Sequence, residues 1–367
     1  MDERGLQAFV ADHVRPHALA ADRDGQFAPD LLERIGAAGL WGWNIAAEYG
    51  GGGHTLAECG ALHRQVGAAC SSARALLTAH QMTAAAIQRW GNAAQKARWL
   101  TDLSTGRTLA AFALSEAGAG SDLQGIEARA EAVPDGFVID GEKKWITGGA
   151  IASVFLVFAR CGAAVEAFLV PRAAAGVAVC GIPPMLGLRA AMLADVSLRR
   201  TKVASDARLG PADAGFRFVA PAALEFGRAM VGFGCLGMAL ACLREATEHA
   251  HTRRAGGTPL VNHQLVQGLL AEMVTAVRTS DALLAKAIAL IDARDAEAGL
   301  AVLVAKYQAS QAAVSVSRDA VQILGARGCA ADSLVQRFYR DAKITEIIEG
   351  SNEVLKGLIA RQAGLML

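Results

Sequence analysis

Apolar and polar positions alternate with different periods in three successive stretches of the chain. Residues 1–109 carry Ala, Leu, Arg and Glu at helical spacing. The consecutive glycines of "AAEYGGGG" (46–53) predict a loop within them. From about 110 to 210 the runs are short and β-rich. "EARAEAV" and "FVIDGEKKWIT" flank a Pro-Asp-Gly turn and predict a hairpin. "SVFLVFAR", "VEAFLVPR" and "GVAVCGI" predict further strands. From about 214 the helical period returns. In "HQLVQGLLAEMVTAV" apolar residues fall at 265, 266, 269, 270, 273 and 274, which predicts one stripe of a buried helix. The most apolar run, Ala229 to Leu243, is glycine-rich and shorter than a spanning helix needs, so it predicts a core helix. The order helical, β, helical predicts an α+β multidomain chain with domains at 1–109, 110–213 and 214–367.

Composition narrows the function classes. The 367 residues are 53% hydrophobic and 19% charged, which leaves ample material for a large core. Basic and acidic residues number 36 and 35, with no basic tail, so nucleic acid is not the expected partner. Aromatics at 5% are too few for a single-strand stacking platform. Seven scattered cysteines without a C-x-x-C pair point to a reduced, cytoplasmic protein with no metal site. The charged, amphipathic N-terminus lacks the apolar core of a signal peptide, and no membrane association is expected.

Four segments carry candidate chemistry, each with a plainer alternative. "AAFALSEAGAGSD" (110–122) ends a strand in a glycine-rich loop, which brings backbone N–H groups close to a polar ligand or is simply a turn. In "GEKKWITGG" (141–149), Trp145 and Thr147 are hairpin packing or the wall of a flat aromatic cofactor. "HTRRAGGTPLVNHQ" (251–264) is a solvated loop or a phosphate site. In "AVQILGARGCAADSLVQRFYRDAKITEIIEGSNE" (320–353), Gly325 and Gly328 mark one helix end and Gly350 stops the next helix. Ser351 is then the expected N-cap of a following helix. Glu349 sits between isoleucines and a glycine at that break, an expensive place for a carboxylate unless it is used.

Taken in order, the segments resemble the acyl-CoA dehydrogenase superfamily of FAD flavoproteins over essentially the whole chain. "AEYGGGG", "ALSEAGAGSDLQGIEARAE", "IDGEKKWITGG", "AVQILGARG" and "YRDAKITEIIEGSNEV" match five of its signatures in sequence order. The resemblance implies an N-terminal α-helical domain, a middle β-barrel or sandwich domain, and a C-terminal four-helix-bundle domain. It implies that Phe112, Leu114 and Ser115 line the flavin ring, with Trp145 and Thr147 on its other side. Gly120 and Ser121 would meet the pyrophosphate, and Ser121 also the substrate's pantetheine arm. Arg253, Gln264, Gln322 and Gly325 through Ala326 map onto a half-site lent by a neighbouring subunit, and Ser351 to Glu353 close the site. A homodimer or homotetramer follows, reoxidised by an electron-transfer flavoprotein or another acceptor.

Glu349 falls on the family's catalytic base, which takes the α-proton of an acyl thioester as a hydride leaves the β-carbon for flavin N5. Desolvation by Ile347 and Ile348 should raise its pKa towards the working pH. Relatives that place the base on another helix put it directly before an arginine. Here Gly227 precedes Arg228, so that position carries no carboxylate. Arg228 is expected to orient Glu349 or meet the thioester, and Glu225 to face the substrate arm or solvent. Departures fall at Ala255 and Gly256, at Ile348 where relatives have Tyr, at Ser351 for Thr, at Ala117 for Pro, and at Ala204 for Pro. They bear on the substrate more than on the cofactor. Short Ala-rich members of this kind resemble a branch that oxidises small hydroxyacyl groups on an acyl carrier protein (ACP) in polyketide extender-unit pathways. The alternatives are a short-chain fatty acyl-CoA dehydrogenase and a same-fold flavin monooxygenase or oxidase.

Overall fold

The structure is a computed structural model and describes residues 1–365. Its first third is helical: α1 (Glu3–Phe9), α2 (Ala18–Asp24), α3 (Pro29–Ala37), α4 (Leu56–Gly67), α5 (Ser71–Trp90) and α6 (Ala93–Thr105). Reciprocal capping by Thr55 and Glu58 starts α4, and by Asn92 and Gln95 starts α6. The 46–53 loop lies where its glycines predict, ahead of α4.

Seven strands follow: β1 (Ala110–Ala113), β2 (Arg129–Val133), β3 (Gly136–Ile146), β4 (Val154–Cys161), β5 (Ala164–Pro171), β6 (Val177–Gly181) and β7 (Ala194–Ala204). They form one curled sheet in the order β1-β4-β2-β3-β7-β6, with β5 added on β4. The predicted hairpin is β2/β3, closed at the Val133–Gly136 pair. β7 was not expected from the sequence pattern. Its alternation slips at exposed Arg199 and Arg200, where a bulge opposite Asp140 shifts the register and puts Arg200 at φ 49°.

The remainder is helical: α7 (Ala220–Thr252), a short β8/β9 ribbon (Arg254–Ala255 and Thr258–Pro259), α8 (Gln264–Asp292), α9 (Ala298–Leu324), α10 (Ala326–Cys329), α11 (Leu334–Thr345) and α12 (Asn352–Gln362). α7 is the central post, packed on α4, α5, α8, α9 and α11. It contains the Ala229–Leu243 run, and its most apolar window is 83% buried within the fold. Glycines permit the close contact with α4: a Cβ at Gly237 would overlap the Arg64 carbonyl oxygen, and one at Gly67 would meet the Gly234 carbonyl at 2.8 Å.

Two expectations are corrected. The 265–274 stripe of α8 is buried only along its middle: Val266, Leu269 and Leu270 pack half-buried on the core and Met273 is enclosed, while Leu265 and Val274 at its two edges are 87% and 44% exposed. Full burial runs through Met273, Val277, Ser280, Leu284, Ala287 and Ile288, so the N-terminal half of α8 leaves apolar side chains uncovered in the single chain. The other correction concerns α11. It ends at Thr345, four residues before Glu349, which therefore stands in a turn and not at a helix end.

Candidate active site

Between α11 and α12 the chain turns through Glu349 at φ 55° and Gly350 at φ 91°, both left-handed. Glycine adopts this conformation freely, whereas a glutamate pays on the order of 1–2 kcal/mol for it. Two cations hold the turn. Arg228 Nε of α7 donates to the Glu349 carbonyl at 3.1 Å, and Lys306 Nζ of α9 donates to the Gly350 carbonyl at 2.9 Å. Ser351 then caps α12 by accepting from the Val354 N–H at 3.3 Å, as its position predicts. With both carbonyls tied down, the Glu349 side chain is directed between α5 and α7. A Cβ at Gly227 would stand 2.8 Å from Glu349 Oε2 and 2.6 Å from Met82 Sδ. The absent side chain at 227 is the room the carboxylate uses.

Glu349 Oε2 is buried with no hydrogen-bond partner among the described residues. Desolvation pushes the carboxyl above its ordinary range, against the opposing pull of Arg228, Lys306 and Arg74. None of these cations forms an ion pair with it among the described residues; Arg228 and Lys306 spend hydrogen bonds on backbone oxygens. Burial also pulls Lys306, fully enclosed, down to about 8. The site thus holds a carboxylate that is basic, positioned and unneutralised. Such a group can take a proton from carbon. The Glu349 N–H has no backbone acceptor among the described residues, so it is free to donate to a developing oxyanion nearby. Glu225 is half-buried close to Arg228.

The expected cofactor residues fall into two groups. In the first, a buried ion pair between Lys143 and Glu116 at 2.7 Å fastens the 114–128 loop to β3, Glu116 also accepting from the Glu127 and Ala128 N–H groups. The Lys144 N–H donates to the Ser115 carbonyl at 2.9 Å, which sets Ser115 beside Trp145. Trp145 is held at φ 57° with 49% of its surface exposed. Phe112, Ser115 and Thr147 are half-buried and Leu114 buried around the same strands, and Gly120 and Ser121 are exposed. Nothing lies within 4 Å of a Cβ built at Gly118 or Gly120. A bare indole face next to uncovered backbone N–H groups fits a flat aromatic ring carrying a phosphate tail.

The second group stands elsewhere. Arg253 follows the end of α7, Gln264 opens α8, and Gln322 and Gly325 close α9, all exposed. Thr252 lies 25 residues beyond Gly227 on one continuous helix, about 37 Å along its axis. Gln322 lies 16 residues beyond Lys306, about 24 Å along α9. The structure therefore does not bring these residues to the Glu349 site of their own chain. Exposed Glu353 and half-buried Ser351 begin α12, on the Glu349 side.

Three residues of the site were not anticipated: Lys306, Arg74 and Met82. The first two had a signal, since each is a lone cation in an apolar helical run, "VLVAKYQAS" and "SSARALLTAH". Met82 had none.

Family models match the chain along its length: the acyl-CoA dehydrogenase N-terminal domain over residues 3–107, its middle domain over 111–201 and its C-terminal domain over 213–364. Mitochondrial short-chain specific acyl-CoA dehydrogenase of Mus musculus is 32% identical over 96% of this chain and 86% of its own. A solved structure described as FkbI, for biosynthesis of the methoxymalonyl extender unit of the FK520 polyketide, is 36% identical. It covers 100% of both chains with a TM-score of 0.91. A glutaryl-CoA dehydrogenase from Mycobacterium smegmatis in complex with FADH2 is 26% identical over 100% of this chain and 95% of its own, with a TM-score of 0.92. The chain belongs to the acyl-CoA dehydrogenase family of FAD-dependent oxidoreductases.

Proposed function

We propose that the protein dehydrogenates a small acyl thioester, with Glu349 as the base that removes the α-proton. The observation that carries this is the buried, unpartnered Oε2 on a left-handed turn whose carbonyls Arg228 and Lys306 hold. Bound FAD supplies the acceptor for the hydride that leaves the β-carbon. Phe112, Leu114, Ser115, Trp145 and Thr147 position its ring, and Gly120, Ser121, Ser351 and Glu353 its tail and the substrate arm. Glu349 takes the proton at Oε2, and its own N–H steadies the thioester oxygen as charge develops there. Arg228 is a positioning residue through its bond to the Glu349 carbonyl.

Arg253, Gln264, Gln322 and Gly325 serve the FAD of a second copy of the chain, which makes the protein a homo-oligomer. Their distance from Glu349 supports this, as does the uncovered Leu265 at the start of α8. Reoxidation falls to an electron-transfer flavoprotein or another acceptor.

The acyl group is small and polar and is carried by ACP, in the manner of polyketide extender-unit synthesis. The full-length likeness to FkbI supports this branch. The likeness to the short-chain mouse enzyme favours a second reading, a short-chain acyl-CoA substrate. Turnover of a three-carbon hydroxyacyl-ACP in preference to butyryl-CoA is the expected result. Turnover of butyryl-CoA alone would establish the second reading in its place.

A further inference from the structure

Arg74, on α5, is 1% exposed and forms no ion pair among the described residues. Its Nη1 donates to Thr78 Oγ1 at 3.3 Å, while Nε and Nη2 are buried without any acceptor. The Nη1 end is fixed by a relay. Gln81 Nε2 donates to the Leu40 carbonyl, so Gln81 Oε1 accepts from His63 Nε2 at 2.9 Å and His63 Nδ1 faces the Thr78 hydroxyl at 3.3 Å. Burial drives His63 down to about 3, so the relay carries no charge. Glu349 and Asp341 both act on the Arg74 charge without bonding to it, and Asp341 spends Oδ1 on the Leu188 N–H at 2.6 Å. A guanidinium buried this completely and left two-thirds unused is costly unless an anion meets it.

The two idle donors are the informative pair. Nε and the Nη2 amino group point along the same edge of the guanidinium, the edge that takes both oxygens of one carboxylate. A hydroxyl or a carbonyl could accept from this edge but would leave the buried positive charge uncompensated. The location is equally specific. On α7, Gly227 and Gly234 lie seven residues apart on one face. A Cβ at Gly227 meets Met82 and the Glu349 carboxylate, and one at Gly234 meets Arg74 at 2.7–2.8 Å. On α5, Met82 and Arg74 are correspondingly eight residues apart. The seam between α5 and α7 thus has the base at one end and the free cation at the other, about 10 Å apart along the helices. One wall is stripped to glycine, and Met82, a flexible filler, stands beside the base.

We propose that Arg74 receives a carboxylate at the far end of the acyl group, so that the substrate is the monothioester of a short dicarboxylic acid. The proposal rests on Glu349 being the base that meets the α-carbon. Arg74 selects the substrate and takes no part in bond making.

The test measures anaerobic flavin bleaching in the holoenzyme by butyryl and succinyl thioesters on one and the same carrier. Wild-type protein is expected to favour the succinyl thioester, and Arg74→Gln to lower the succinyl-to-butyryl ratio of kcat/KM at least about 100-fold. Arg74→Lys, which keeps the charge but not the fork, should fall between. A wild-type preference for butyryl, or an equal loss on both substrates in Arg74→Gln, overturns the role of Arg74 and leaves the dehydrogenase reading standing. Bleaching by neither thioester overturns the role of Arg74, and the dehydrogenase reading falls with it only when a three-carbon hydroxyacyl thioester on the same carrier also fails to bleach the flavin. Should Arg74→Gln not fold, the thermal shift of wild-type protein decides: a larger rise in Tm with succinyl than with butyryl thioester supports the proposal, and the reverse refutes it.

Discussion

At the scale of single residues, the proposed role of Glu349 as base rests on what its neighbours do not do. Arg228 and Lys306 come near enough to grip the backbone on either side yet leave the carboxylate oxygen unpaired. Both lower the pKa that burial raises. The base must be ionised to act, so activity falls as pH drops through the raised pKa of Glu349. Removing a cation raises that pKa further. Lys306→Met is accordingly expected to move the acidic limb of the kcat/KM profile to higher pH, and an unmoved limb would show that Lys306 does not reach the base. Much of this was legible in the sequence. "EIIEGS" marked a carboxylate in apolar company followed by a glycine and a cap, and Gly227 before Arg228 marked an empty position. The left-handed φ of Glu349 was not legible. It depends on α7 and α9 holding two carbonyls from residues 121 and 44 positions away.

At the scale of elements, small residues decide how closely α7 approaches its neighbours. Gly237 and Gly227 offer a contrast. A Cβ at Gly237 would run into the Arg64 backbone, which cannot rotate aside, whereas one at Gly227 meets a Met side chain and the tip of Glu349. Gly237→Ala should therefore destabilise the fold by about 1–3 kcal/mol, seen as a lower midpoint in thermal unfolding. Gly227→Ala should leave the midpoint closer to wild type and cut turnover, because the carboxylate has to move. Equal midpoints for the two variants would contradict this packing account. The sequence pattern was informative where burial is one-sided, as in the β2/β3 hairpin. It failed at β7, where a bulge breaks the alternation. In α8 it found the stripe that packs on the core but not that its edge residues Leu265 and Val274 stay exposed.

At the scale of the molecule, the long helices set the geometry of the cofactor site. α7 places Gly227 and Arg253 near opposite ends of one post, so in the proposed shared site a single chain would present half of a flavin site at each end. Leu265, exposed at the start of α8, is where a second copy would be needed. A charge placed there, Leu265→Glu, should yield monomers in sedimentation and release FAD in the same step. Monomers that keep full FAD would contradict the shared site. The three-part architecture was readable from the change of hydrophobic period, and the order of five short segments pointed to the family. The separation of the expected cofactor residues into two groups came only with the family resemblance, since sequence spacing says nothing of a 33-residue helix lying between them.

The most direct measurement is the rate of anaerobic flavin bleaching by an accepted acyl thioester in wild-type protein and in Glu349→Gln. With FAD content equal in both, the account predicts bleaching at least about 100-fold slower in the variant. Bleaching at the wild-type rate would contradict the assignment of Glu349 as the base.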